Sequence, residues 1–168
     1  MSSTAKDEAP AGREGRATMS GLEYMRRLAS GELPPSPMGR LLGFRLVEVE
    51  EGRAVFVVVP GEEHCNGIGI AHGGLAATLL DSATGCAINT MMPAGRIFTT
   101  LEMKINYVRP LTAATGEVRC EARAVHVGGR VATAEGRIVD AAGKLYAHGT
   151  ATCMLFKESR QETGDSSQ

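Results

Sequence analysis

Polar and apolar positions alternate along four stretches of the second half of the chain, separated by glycine-bearing breaks. Over 97–108, Leu101, Met103, Ile105 and Tyr107 fall on one side of an extended strand and Glu102, Lys104 and Asn106 on the other. Over 116–127, Val118, Cys120, Ala122 and Ala124 alternate with Glu117, Arg119, Glu121 and Arg123. Strands at 130–140 and 144–156 follow, broken by Gly128-Gly129 and by Asp140-Ala141-Ala142-Gly143. Two earlier strands, 43–50 and 53–60, meet at a Glu51-Gly52 turn. Before them a helix is predicted over 20–30, with Leu22, Met25, Leu28 and Ala29 on one face. The prolines at 34, 35 and 37 end it, and Ser36 or Pro37 starts a short helical turn through Leu42.

The stretch 73–90 breaks the alternation. It reads as a helix that is apolar on nearly every side, and such a helix must be surrounded. The solution is an α+β fold: a curved antiparallel sheet of about six strands wrapped around a long central helix, with the four later strands running as a meander. Residues 19–157 form one domain on this reading, between polar tails at 1–18 and 158–168 that lack the apolar residues to fold.

A net charge of −1 with both signs interspersed gives no basis for binding nucleic acid or an anionic membrane. No stretch reaches the roughly 18 apolar residues needed to span a bilayer, and the first residues lack the apolar centre of a secretory signal. A cytoplasmic protein is expected. Cys65, Cys86, Cys120 and Cys153 are widely spaced, read as reduced thiols, and call for no metal.

Chemistry concentrates at the central helix. Between His64 and Gly95 the sole carboxylate is Asp81, and there is no lysine or arginine. An acid among apolar neighbours is costly unless it is paired or working, which marks Asp81 as a base or nucleophile. Gly73 and Gly74 open the helix, where backbone N–H groups are unpaired and no side chain shields them from a ligand oxygen. Such donors suit an oxyanion developing on a carbonyl. Alternatively, the glycines only permit close packing against the sheet. His72 adjoins the helix start, so a positioning role is favoured over that of a base. Asn66 either aims its amide at the site or simply forms a turn. Gly73 and Asp81 are about 12 Å apart along a helix axis. Two antiparallel helices related by a two-fold axis would place each Asp81 beside the other copy's Gly73, which predicts sites at a dimer interface.

The run Asn66-x-x-Gly69-x-x-His72-Gly73-Gly74, with Asp81 nine residues past the histidine, resembles the PaaI-type hotdog-fold acyl-CoA thioesterases. The likeness extends over most of 40–157, including the strand Thr99–Pro110. It implies a long helix wrapped by an antiparallel sheet, in homodimers paired into homotetramers, with no cofactor. By this resemblance Gly73 donates to the thioester carbonyl, Asn66 and His72 shape that half of the site, and Asp81 comes from the neighbouring subunit. Thr100 matches a position that orients the attacking water. A subgroup carries a threonine four residues after the carboxylate; here that residue is Gly85.

The expected reaction is hydrolysis of an acyl-CoA thioester, with an arylacetyl or medium-chain acyl group. Candidates for the coenzyme phosphates are Lys104, Arg109, Arg96 and Arg130. Hydration or dehydration of an enoyl thioester is one alternative, and non-enzymatic acyl-CoA sensing is another.

Overall fold

In a computed structural model, residues 18–157 are described. The expected polar tails at 1–18 and 158–168, Thr18 apart, lie outside them. The glycine pair opens the central helix as expected. This helix, α3 (Gly73–Asn89), buries Leu75, Leu79, Leu80, Ala83, Ala87 and Ile88. Full burial of each of the larger aliphatic side chains contributes about 1.5–3 kcal/mol. Ahead of it come α1 (Gly21–Ser30), α2 (Pro37–Leu42), β1 (Arg45–Glu50) and β2 (Arg53–Val58); after it come β3 (Arg96–Tyr107), β4 (Val118–Val127), β5 (Val131–Asp140) and β6 (Leu145–Lys157). All six strands join one antiparallel sheet in the order β1-β2-β4-β5-β6-β3.

Helix α3 packs against every strand from β2 to β6. The sheet face beneath it is lined with small residues, among them Ala122, Ala134, Gly136, Ala147 and Ala151. A Cβ at Gly136 would sit 3.1 Å from Leu80 Cδ2, so a glycine there sets how closely the helix lies on the sheet. Met25 of α1 is buried in the same core, and the Gly21 N–H donates to the Met92 carbonyl at 2.9 Å beyond the C-terminal end of α3. Among the described residues, no helix is long and apolar enough to cross a membrane.

Two sequence expectations need correction. The last four strands are not a simple meander: β3 pairs with β6 at the sheet edge, and the chain crosses back to place β4 beside β2. The connection of residues 108–117 is too long for a tight hairpin and carries Pro110. It passes the tip of α3, where the Leu111 carbonyl accepts the Ala71 N–H at 2.9 Å. Secondly, Leu101 does not share a face with Met103 and Ile105. The pairing register of β3 with β6 shifts between Thr100 and Glu102, so Leu101 is an extra residue in a bulge and is 57% exposed. The bulge turns Thr100 to the helix side, where strict alternation would have placed it with Glu102 and Lys104.

Candidate active site

The site is built outward from the start of α3. Residues 61–72 lead into it as an irregular loop, tied down by His64. That ring is buried, accepts the Gly61 N–H on Nδ1 at 2.9 Å and bonds the Leu42 carbonyl through Nε2 at 3.0 Å. Nδ1 thus serves as an acceptor, and Nε2 is the ring nitrogen that faces a carbonyl and can donate to it. The His64 carbonyl accepts the His72 N–H at 2.7 Å, which fixes where the helix begins. Sequence reasoning gave His64 no role, because Leu42, the partner that ties it to the rest of the fold, is far from it along the chain.

His72 is the N-cap of α3: its Nδ1 accepts the Gly74 N–H at 2.9 Å. This cap consumes the Gly74 donor. The Gly73 N–H, by contrast, has no hydrogen-bond acceptor among the described residues. Asn66 behaves first as a turn former. Its Oδ1 accepts the N–H groups of Ile68 at 3.1 Å and Ile70 at 3.4 Å, leaving Nδ2 as the group able to meet a ligand.

Asn66, His72 and Gly73 line one cavity of about 490 Å³ together with Tyr107, Arg109 and Tyr146. Tyr107 lies over the helix tip: its hydroxyl donates to the Gly73 carbonyl at 3.2 Å, and a Cβ at Gly73 would be 3.3 Å from the ring. A side chain at 73 would therefore require the ring or the helix tip to give by a few tenths of an ångström. Sequence reasoning read Tyr107 only as a strand residue. Among the four cations considered for phosphate, Arg109 alone lines this cavity, and its Nη1 donates to the Leu145 carbonyl at 2.6 Å. Arg96 is engaged by the Gly129 carbonyl.

Asp81 lies two turns along α3 and does not line that cavity. It is half-buried, and its Oδ1 accepts the Thr100 hydroxyl at 2.8 Å. Behind Thr100 lies the buried Cys153, its Sγ 3.9 Å from the same hydroxyl. Burial first, and the Asp81 charge after it, pushes this thiol up, so it stays a protonated wall of the site. Thr84 is not free to act beside the carboxylate, because its hydroxyl donates to the Leu80 carbonyl at 2.8 Å. At Gly85, one turn past Asp81, the space of a side chain is filled by Phe98: a Cβ there would lie 2.7 Å from Cε2 of the ring. Within one chain, then, Asn66, His72 and Gly73 form one group, and Asp81 and Thr100 another. Among the described residues no group of His, Cys, Asp or Glu is arranged to hold a metal ion.

A long helix wrapped by this sheet, with an unpaired Gly73 N–H at its tip and a half-buried carboxylate, is the arrangement of a hotdog-fold thioester hydrolase of the PaaI type, as the comparisons bear out. Residues 68–147 match the thioesterase superfamily. A putative esterase of Archaeoglobus fulgidus is 33% identical over 119 residues, 70% of this chain and 74% of that protein. Human acyl-coenzyme A thioesterase 13 is 36% identical over 72 residues, covering 42% of this chain and 51% of its own length. A mutant structure of the phenylacetic acid degradation protein PaaI from Thermus thermophilus is 33% identical. The match covers 71% of this chain and 98% of that one, at a TM-score of 0.64. The chain belongs to the thioesterase superfamily.

Proposed function

We propose that the protein hydrolyses acyl-CoA thioesters carrying arylacetyl or medium-chain acyl groups, at sites shared between two copies of the chain. The observation that carries this reading is the spacing of the two chemical groups on α3. The free Gly73 N–H and the Asp81–Thr100 pair are too far apart along one helix to meet at a single carbonyl. An antiparallel second copy of α3 brings the opposite pair together. Ala77, midway between Gly73 and Asp81, is small enough to let two such helices approach. The unpaired outer edge of β3 supports the same pairing, since an open strand edge is a ready template for another chain. Pairs of such dimers would make a tetramer.

In this site the Gly73 N–H of one copy receives the thioester oxygen as it becomes an oxyanion. Asp81 of the other copy takes the proton of the attacking water. Thr100 occupies Oδ1, which leaves Oδ2 as the proton acceptor. The tetrahedral intermediate collapses with expulsion of the coenzyme thiolate, giving the free acid. Arg109, beside the Gly73 cavity, is the cation best placed for a coenzyme phosphate. Because the thioester is already activated, one base and one N–H donor suffice. The similarity to a protein named acyl-coenzyme A thioesterase 13 supports this substrate class.

Thiol release from a panel of acyl-CoAs, read with a thiol-detecting dye, tests the reading. Turnover by wild type that collapses in a folded Asp81→Ala variant is expected. Product formed without free thiol would move the assignment to enoyl-thioester hydration, and tight binding with no reaction would make the protein a sensor.

A further inference from the structure

One turn past Asp81 on α3, the helix surface is covered by a residue of β3. Phe98 and Thr100 pair across the sheet with Leu155 and Cys153, both buried on the helix side. Cross-strand partners share a face, so Phe98 and Thr100 both point at α3. Thr100 reaches Asp81, and Phe98 reaches the glycine one turn further on. Gly85 is buried, and the Cζ and Cε2 atoms of the ring stand 2.8 and 2.7 Å from where its Cβ would be. Any larger residue at 85 would have to displace the ring. Phe98 also packs against the cluster of Ile88, Met92, Ala132, Ala134, Cys153 and Leu155.

We propose that Phe98, seated in the space left by Gly85, sets the length of acyl group the enzyme accepts. In the shared site the ring would stand about 6 Å along the helix from Asp81, where it would turn away acyl chains longer than the arylacetyl or medium-chain groups proposed above. The inference rests on the hydrolase reading above and adds to it the residue that limits the substrate.

The test is kcat/KM of the full-length protein and its Phe98→Ala and Phe98→Leu variants across straight-chain acyl-CoAs of increasing length, with phenylacetyl-CoA alongside. Phe98→Ala should move the optimum to longer chains. Each newly accommodated methylene should gain about fourfold in kcat/KM, while the shortest substrates change little. Phe98→Leu, which keeps the packing against the apolar cluster, should fall between the two and covers the case in which the alanine variant does not fold. Wild-type turnover with parallel length profiles in the folded variants would overturn this inference and leave the hydrolase reading standing. No thiol release by wild type from any of these substrates would overturn both.

Discussion

The Thr100 hydroxyl donates to Asp81 Oδ1 at 2.8 Å, linking the edge strand to the central helix. The contact exists because the Leu101 bulge turns Thr100 inward. A hydrogen bond to a charged group is worth about 1.5–3 kcal/mol. If Asp81 acts with one oxygen fixed, Thr100→Val should lower kcat by about 10- to 100-fold, while Thr100→Ser stays within a few-fold of wild type. Steady-state kinetics on the best substrate measure this; equal losses in both variants would remove Thr100 from the mechanism.

Gly73 and Tyr107 give a second expectation. A methyl at 73 meets the tyrosine ring at 3.3 Å, a separation at which the ring or the helix tip must shift. Gly73→Ala keeps the N–H but moves it, and should therefore cost about 10- to 100-fold in kcat/KM, less than the roughly 100- to 1000-fold of losing an oxyanion donor outright. Adding Tyr107→Leu, which removes the opposing ring, should recover part of the loss. A double variant worse than the product of the two single effects would contradict the contact argument.

His72 separates positioning from proton transfer. Its ring caps α3 through Gly74, so His72→Ala should cost about 0.5–2 kcal/mol of stability. His72→Asn, another N-cap residue, should restore much of it. Turnover per folded molecule should fall far less than in Asp81→Ala. Urea denaturation beside kinetics reads both quantities, and a loss equal to that of Asp81→Ala would make the histidine a proton carrier.

Arg53 anchors charge away from the site. It is only 12% exposed and bonds Glu121 at 3.0 Å, Glu48 at 2.7 Å and Glu50 at 3.1 Å. Arg53 holds the Glu121 carboxyl below its ordinary value, and Arg119 with Arg53 does the same for Glu48. A depressed folded-state value contributes stability above the ordinary 4.5, and that stability is lost as pH falls through the depressed value. Arg53→Ala should cost about 2 kcal/mol near neutral pH, between an exposed and a buried pair. The gap from wild type should narrow as pH falls below 4.5 and through the depressed values. Denaturation midpoints against pH check this, and a gap that widened in acid would reverse the assignment.

The parts of the fold written in local periodicity were legible: the apolar run of α3, the strands and the Pro37–Leu42 turn all fall close to where the residue pattern put them. Asp81 and Gly73, the two groups of the proposed site, also stood out, as an acid and a glycine pair in an apolar helix. What was hidden depends on partners far along the chain. Leu101 looks like a core residue, and only its pairing against β6 makes it a bulge. That β3 lies beside β6 is likewise set by the long return past the helix tip, which no hairpin turn announces. Tyr107 over Gly73, His64 beneath the loop and Phe98 at Gly85 are contacts between elements, with no signature in spacing.

Subunit mixing tests the shared site most directly. Asp81→Ala and Gly73→Val should each be inactive alone. Unfolded and refolded together in equal amounts, they form mixed dimers in which one site has Gly73 from the first chain and Asp81 from the second. With random pairing, half the dimers are mixed and each holds one intact site of two, so activity should return to about one quarter of wild type. A mixture as inactive as its parents, with mixed dimers present, would place both groups in the same chain and contradict the account.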